Sequence, residues 1–400
     1  YLENKLTDID LSEKEKAYYK RIIRVHNMLD LSLVKWHPIN LIINSIVNSK
    51  FFEWFDHANT PEIVSELETF DLFNFSDDHI ARRPSDSYFI HKSEDKEHSM
   101  LLRPHTSVMW YHYLLEQGGK EKLYEQWDVQ ALSWWKVYRV DELDKTHHEC
   151  FHQIDGLRIT DKNKKIINQD TLKEVLSSAI KALFWENVEY RFNVDQFPYT
   201  VDSLEVEVMY KWKWLEVLWA WVVHPNVLTK LWLDPEKYNW WAFGFWIERL
   251  AMALKSVPDI RIFWSEDKRI LKQWGNMNPY KEVSNYPPVY KDISFITPKN
   301  LFLRDEKEEE KSWELELVKE TESNFFALTW VIRDIGGDLI EEVKIIDMYE
   351  NDKKFWEENK SVTIKIVFRS IERTLTDEEI NKMYFEIRWK IEESLWYELR

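Results

Sequence analysis

Glycine is nearly missing from this chain: 7 residues in 400, where an ordinary globular protein carries about 7%. Tight connections need backbone at positive φ, and glycine alone adopts it without steric cost. A chain long enough for two domains should not manage with so few. Cysteine occurs once, at Cys150, which excludes a disulfide framework and a multi-cysteine zinc site and fits a reducing compartment. No run of about 18 uncharged apolar residues is present, so no membrane-spanning helix is expected. Basic residues are in deficit, 54 Lys and Arg against 71 Asp and Glu, for a net charge of −17. That argues against a sequence-blind nucleic-acid binder with a basic surface and leaves room for RNA held at local basic patches. The chain opens on Tyr1 with no signal peptide in view, and the expectation is that its true start lies upstream.

What is abundant is tryptophan, at 22 residues, in a chain 44% hydrophobic and 31% charged. Residues 1 to about 35 read as one amphipathic helix carrying Tyr18, Ile22, Ile23 and Val25. In "SLEVEVMY", Leu204, Val206 and Val208 alternate with Glu205 and Glu207, and "KVYRV" at 136–140 reads as a second strand. Strands mixed with helices without a regular βαβ rhythm predict an α+β fold with an antiparallel sheet. The pattern changes after the Pro-containing connector "SNYPPVY" (284–290). A strand with Ile293 and Phe295 precedes a helix near 319–334 that ends at Gly336-Gly337. Strands "EEVKIID" and "SVTIKIVF" come next, then a helix opened by a Thr376/Glu379 capping box. That order matches a ferredoxin-like module. The charge run Asp305–Lys311 reads as a solvated loop. The domains expected are a helical segment at 1–36, a catalytic domain at 37–285 and the module at 286–400.

The densest polar segment is "VYRVDELDKTHHECFHQIDG" at 137–156. His147, His148, Cys150 and His152 invite a zinc reading, but adjacent residues of a hairpin face opposite ways and no second ligand pair follows. The better reading is a strand–loop–strand with Arg139, Asp141, His147, Gln153 and Asp155 lining a pocket. "AFGFWIERLAMAL" (242–254) reads as a strand turning into a helix with Glu248 and Arg249 at its start. These two could form a surface ion pair, worth under about 1 kcal/mol, or Arg249 could clamp phosphates.

These two segments resemble motifs 2 and 3 of class II aminoacyl-tRNA synthetases, specifically the phenylalanyl-tRNA synthetases. "LLRPHTS" (101–107), "FPYT" (197–200), "WLEVL" (214–218), "VHPNVL" and "ERLAM…PDIRIFWSEDKRILKQ" follow in family order over roughly residues 37–275. "VIRDIGGDLIEEV" and "RTLTDEEIN" resemble the ferredoxin-fold anticodon-binding domain, and both on one chain resemble the single-chain mitochondrial type. The resemblance implies a class II antiparallel-sheet core that uses ATP and Mg²⁺ to activate phenylalanine and charge tRNA(Phe). It also implies a monomer without an editing domain, in the cytoplasm or alternatively the mitochondrial matrix.

Carried over by position, it implies catalytic roles for Arg139, Arg249 and His147. Arg139 would contact the α-phosphate and the substrate carboxylate, and Asp141 would lie near adenine, on which Phe151 would stack. His147 and His148 would lie beside the phosphates, Arg249 would hold the triphosphate end, and Glu216 would face nucleotide and metal. His105, Ser107, Gln153 and Asp155 would orient the amino acid's ammonium and carboxylate, and Phe197, Tyr199, Ala242 and Phe243 would line the phenyl pocket. Asp155 stands where the family usually has Glu, and Val201 where bacterial members carry an acidic magnesium ligand. The alternatives are a related class II enzyme for another amino acid, such as tyrosine or phosphoserine, and a non-catalytic tRNA-binding paralogue.

The resemblance also bears on the composition. Trp135, Trp185, Trp219, Trp221, Trp232, Trp240, Trp246, Trp356 and Trp396 stand where the family usually has glycine. The expectation is that UGA is read as glycine in the source organism and has been written here as tryptophan. The other reading is genuine tryptophan in a divergent paralogue.

Overall fold

The computed structural model describes residues 11–184, 187–195, 199–210, 212–302, 314–355 and 358–400. The chain divides into two compact units, Tyr1–Lys281 and Glu282–Arg400.

In the first unit, helix α1 (Glu13–His26) opens on Ser12. The Ser12 hydroxyl accepts the Glu15 amide while the Glu15 carboxylate accepts the Ser12 amide, closing a capping box. The helix stops at His26 rather than running to residue 35. Asp30 takes the Ser32 amide at 3.0 Å and starts a short 3₁₀ turn, Leu31–Leu33, because a short polar side chain offers the backbone a local alternative to helix. Helix α2 (Pro38–Val47) then begins with proline at its first position, and the His37 ring accepts the Ile39 amide.

Strand β1 (Asp56–His57) is followed by a small sheet of β2 (Ile63–Ser65), β3 (Phe89–His91) and β4 (Met100–Leu102), ordered β2-β4-β3. Helices α3 (Met109–Leu115) and α4 (Gly119–Gln126) lead into β5 (Asp128–Tyr138) and β6 (Cys150–Asp161). Helix α5 (Gln169–Leu183) precedes β7 (Tyr190–Asp195), β8 (Thr200–Tyr210) and β9 (Lys213–Val223). Then come α6 (Pro225–Lys230), β10 (Tyr238–Trp246), α7 (Ile247–Lys255) and α8 (Lys268–Leu271). The large sheet runs β1-β5-β6-β10-β9-β8-β7, antiparallel except for the β1–β5 edge. The alternation read at β8 is present: Leu204, Val206 and Val208 are buried, while Glu205 and Glu207 are partly exposed.

Strands β6 and β10 lie mid-sheet, and every residue from Cys150 to Leu157 is buried. Alternation along a strand sends neighbours to opposite faces. Gln153 and Asp155 of β6 and Gly244 and Trp246 of β10 share the face that lines a cavity. Two glycines permit this pairing. A Cβ at Gly156 would lie 2.2 Å from the Phe243 ring, and one at Gly244 would lie 2.5 Å from Asp155 Oδ1.

The second unit has β11 (Val289–Pro298), α9 (Glu314–Gly336), β12 (Ile340–Glu350), α10 (Asp352–Phe355), β13 (Asn359–Phe368), α11 (Asp377–Leu395) and β14 (Glu398–Leu399). Its antiparallel sheet is ordered β12-β13-β11-β14. Ile293, Phe295, Val362, Ile364, Ile366 and Phe368 pack with Ile380, Ile387 and Ile391 of α11, the faces that the pattern predicts. Only half of the expected capping box forms. The Thr376 hydroxyl accepts the Glu379 amide, but the Glu379 carboxylate turns to Arg373 at 2.6 Å, because a guanidinium offers a charge-assisted bond. The run 305–311 lies outside the described residues.

Candidate active site

A cavity of about 470 Å³ opens on the inner face of the large sheet. One end is polar. Asp155, buried in the middle of β6, accepts the Ser107 hydroxyl from the 3₁₀ turn that precedes α3. Burial pushes its carboxyl up to about 6, against the lowering pull of Ser107, Thr106 and Arg139. His105 faces the Thr69 carbonyl through Nε2 at 3.3 Å. A carbonyl can only accept, so Nε2 carries the proton and Nδ1 is a bare acceptor. Burial, with Arg139 nearby, holds the ring's pKa down at about 3, so it stays neutral. Among the described residues His105 Nδ1 and Gln153 Oε1 are both buried without a hydrogen-bond partner. Two orphaned acceptors beside a carboxylate make a receptor for a group with several N–H donors, such as an ammonium.

The rest of the lining is largely aromatic, and Phe73 meets His105 edge-on at 5.1 Å. Tyr199 packs on Phe75 (5.6 Å between ring centroids, 30°) and edge-on to Phe73 (5.8 Å, 86°), and Phe70 and Trp221 complete it. Arg139, just past the end of β5, donates from Nε to the Pro104 carbonyl at 3.1 Å. Its guanidinium lies 5.3 Å from the Phe151 ring. Burial lowers its pKa, and Arg249 works in the same direction.

A second, smaller recess adjoins, lined by Asp141, His147, His148, Phe151, Arg249 and neighbours. Trp246 borders both spaces. Its indole lies parallel to Phe151 at 5.3 Å and 12°, with the Arg249 guanidinium 4.5 Å and that of Arg139 5.2 Å from its ring. Arg249 also pairs with Glu216 at 2.7 Å, which Trp219 reaches through its indole N–H at 2.5 Å.

Glu248 and Arg249 do not pair with each other as a surface pair would. Glu248 is 3% exposed and accepts the His152 amide with both oxygens, at 3.0 and 2.8 Å, and the His152 ring at 2.6 Å. The far ring nitrogen of His152 meets Asp30 at 3.2 Å. Burial would lower the His152 pKa, but Glu248 and Asp30 outweigh it and push it up to about 9.

Arg139, Asp141, His105, Ser107, Gln153, Asp155 and Tyr199 thus converge on the main cavity. His147, His148, Phe151 and Arg249 line the recess beside it. His147 is exposed and held by Asp144 at 2.9 Å. His148 is buried, stacked on Trp264 at 4.2 Å, with Nδ1 engaged at the Cys150 backbone. Phe243 is not with them. It sits on the back of β10, 5.6 Å from Phe52, because neighbours on a strand cannot share a face. Ala242 has the cavity-side parity but packs within the cluster of Trp110, Trp221 and Trp240. Phe197 lies outside the described residues. The zinc reading dissolves: Cys150 packs among Tyr88, Leu102 and Tyr138, His152 serves Glu248, and His147 faces solvent.

Sequence reasoning missed Phe70, Phe73 and Phe75, a whole wall of the cavity. Three phenylalanines within six residues, interrupted by Asp71 and Asn74, were the available signal. It also missed Glu205, whose pKa is raised by burial and by nearby Glu216 and Glu207. Glu205 and Glu216 are two neighbouring carboxylates without a third ligand, and among the described residues no cluster of three candidate metal ligands exists. That donor set fits Mg²⁺, which takes one or two carboxylates and completes its shell with water and phosphate oxygens. Val201, 42% exposed on β8, adds no oxygen.

The tRNA synthetases class II core domain (F) matches residues 27–274, and the ferredoxin-fold anticodon binding domain matches residues 284–400. The chain is 35% identical to "Phenylalanine--tRNA ligase, chloroplastic/mitochondrial" of Arabidopsis thaliana over 91% of this chain and 78% of that one. It is 30% identical to "Phenylalanine--tRNA ligase, mitochondrial" of Dictyostelium discoideum over 91% and 85%. The alpha subunit of the Photobacterium profundum enzyme, at 37% identity, matches 60% of this chain and 67% of its own length. With a core match covering more than half its length, followed by the anticodon-binding module, the chain belongs to the class II aminoacyl-tRNA synthetases.

Proposed function

We propose that this ligase activates phenylalanine with ATP and transfers it to tRNA(Phe). The observation that carries this reading is a single cavity lined both by acceptors for an ammonium, at His105, Gln153 and Asp155, and by the rings of Phe73, Phe75 and Tyr199. A flat, uncharged side chain suits those rings. The relatives named as phenylalanine–tRNA ligases over about nine-tenths of the chain support it.

The chemistry needs little proton transfer. Asp155, His105 Nδ1 and Gln153 Oε1 hold the ammonium and turn the carboxylate toward Arg139. A carboxylate oxygen attacks the α-phosphorus in line, the bond from that phosphorus to the bridging oxygen breaks, and pyrophosphate leaves. Arg139 at the α-phosphate and Arg249 at the triphosphate end neutralise charge, so positioning and electrostatics supply the rate. His147 and His148 stand beside that end. Mg²⁺, held through Glu216 and Glu205, would offset the charge of the leaving pyrophosphate. The terminal ribose hydroxyl of tRNA then takes the acyl group and AMP departs. Residues 284–400 serve the anticodon. A monomer is the working form by this reading, and relatives with organellar addresses in their names favour the matrix over the cytoplasm.

The test is amino-acid-dependent ATP–pyrophosphate exchange followed by tRNA charging. It is run on the chain as written and on a version with glycine at the nine positions flagged from the sequence. Exchange with phenylalanine well above that with tyrosine or leucine is expected. A response to another amino acid, or to none in either version, overturns the reading. An apolar pocket discriminates weakly against an added hydroxyl, by about 10², so tyrosine should be the main error.

A further inference from the structure

Tryptophan occupies backbone that tryptophan has no reason to occupy. Among the described residues eight non-glycine positions have left-handed φ, and four are Trp127 (59°), Trp212 (66°), Trp232 (56°) and Trp396 (58°). Left-handed backbone crowds any Cβ against the following carbonyl. Asn and Asp offset this with a short polar side chain, and an indole cannot. The side chains gain no burial in exchange, being 95%, 62% and 89% exposed at 212, 232 and 396.

The hydrogen bonds around them are those of glycine turns. Past α6, the Leu233 amide donates to the Leu228 carbonyl at 2.9 Å and the Trp232 amide to Thr229 at 3.0 Å. That paired pattern closes helices whose next residue is left-handed, usually glycine. Trp396 and Trp127 terminate α11 and α4 in the same conformation. Trp212 sits in the two-residue hairpin between paired Tyr210 and Lys213, where a left-handed residue is required and glycine is the common choice.

A second, independent observation lies in the active site. The Trp246 indole, parallel to Phe151 and under two guanidinium groups, fills the position in which a nucleotide base would stack between ring and cation. Trp219 ties up Glu216 beside it.

We propose that the working chain carries glycine at 127, 212, 219, 221, 232, 246 and 396, each encoded by a UGA triplet read by a glycine tRNA. UGA and the glycine codon GGA differ in the first base alone. Positions 127 and 212 join five of the nine flagged from the sequence; of the other four, Trp185 and Trp356 lie outside the described residues, and Trp135 and Trp240 have no left-handed φ and are not included. Trp241 and Trp274, buried to 1% and 0%, and Trp214, 4.2 Å under Arg191, have ordinary φ and stay tryptophan. Only the argument at 219, 221 and 246 rests on the proposed function, and at 221 it is that an indole occupies the lining of the cavity.

Peptide mass spectrometry of the chain isolated from its source cells reads the residues directly. Glycine at 212, 232, 246 and 396 with tryptophan at 214, 241 and 274 is expected, and tryptophan at the first four overturns the proposal. ATP titration by calorimetry, without tRNA, compares the chain as written with one carrying the seven glycines. Binding is expected only in the second, and equal binding in both overturns the claim at 246. Glycine peptides together with no ATP binding in either chain would leave the recoding standing and remove the proposed function. In the chain as written, Trp232→Gly and Trp396→Gly should each raise Tm, by about 2 °C or more. A fall in both would overturn the backbone argument.

Discussion

At the scale of one residue, Asp155 carries a burial cost in stability that the proposed ammonium contact would offset. Its carboxyl is raised from 3.8 to about 6 in the folded chain, so the folded state holds the proton more tightly than the unfolded one. That contribution is fully present below pH 3.8 and is lost as pH rises through about 6, leaving a burial cost on the order of 3 kcal/mol at pH 8. Asp155→Asn should therefore unfold at higher urea than the parent at pH 8, while the KM for phenylalanine rises by about 10²-fold or more as the ammonium loses its counter-charge. In the parent, kcat/KM for phenylalanine should fall as pH drops through about 6. Gly244→Ala places a methyl 2.5 Å from the same carboxylate. It is expected to weaken phenylalanine activation at least about tenfold, read by exchange kinetics, because the anchor must move. Asp155 was legible in the sequence, since the segment around it is polar and in family order. The depth of its burial was not, because that depends on strands far away in the chain.

Between elements, the Glu248–His152–Asp30 chain fastens the start of α7 to the first residues of β6 and to the turn after α1. Phe151 and Arg249 flank these residues in sequence, so the network sets their spacing across the recess. Removing one partner of a buried pair leaves the other uncompensated, and Glu248→Ala is expected to cost about 3–5 kcal/mol in urea unfolding at pH 7. With its pKa raised to about 9, His152 contributes stability that is fully present below pH 6.5 and lost as pH rises through 9. That loss should be much smaller in the variant. Sequence pattern identified β8 and β13 because each places alternate apolar residues on one buried face. It could not say which of Ala242 and Phe243 meets the cavity, since strand register across β6 and β9 decides the face. It ran the first helix past His26 because Asp30 reads as an ordinary helix residue until its carboxylate is seen taking the Ser32 amide.

On the scale of the whole molecule, each unit has its own apolar core, so the first should fold without the second. Residues 1–281 expressed alone, with glycine at the recoded positions, are expected to keep phenylalanine-dependent ATP–pyrophosphate exchange within a few-fold. They should lose most tRNA charging. Full charging by this fragment would remove the anticodon role from residues 284–400.

The sequence by itself determined the family and the order of the elements in the second unit, and it named polar residues that the fold brings to one cavity, because these are written in local runs whose chemistry survives without coordinates. It also exposed an imbalance between glycine and tryptophan. Only the tertiary structure decided which faces meet, that Phe70, Phe73 and Phe75 line one cavity, and that the indole of Trp246 lies parallel to Phe151 beside two arginines. Those are outcomes of strand register and of long-range packing, and no local pattern encodes them.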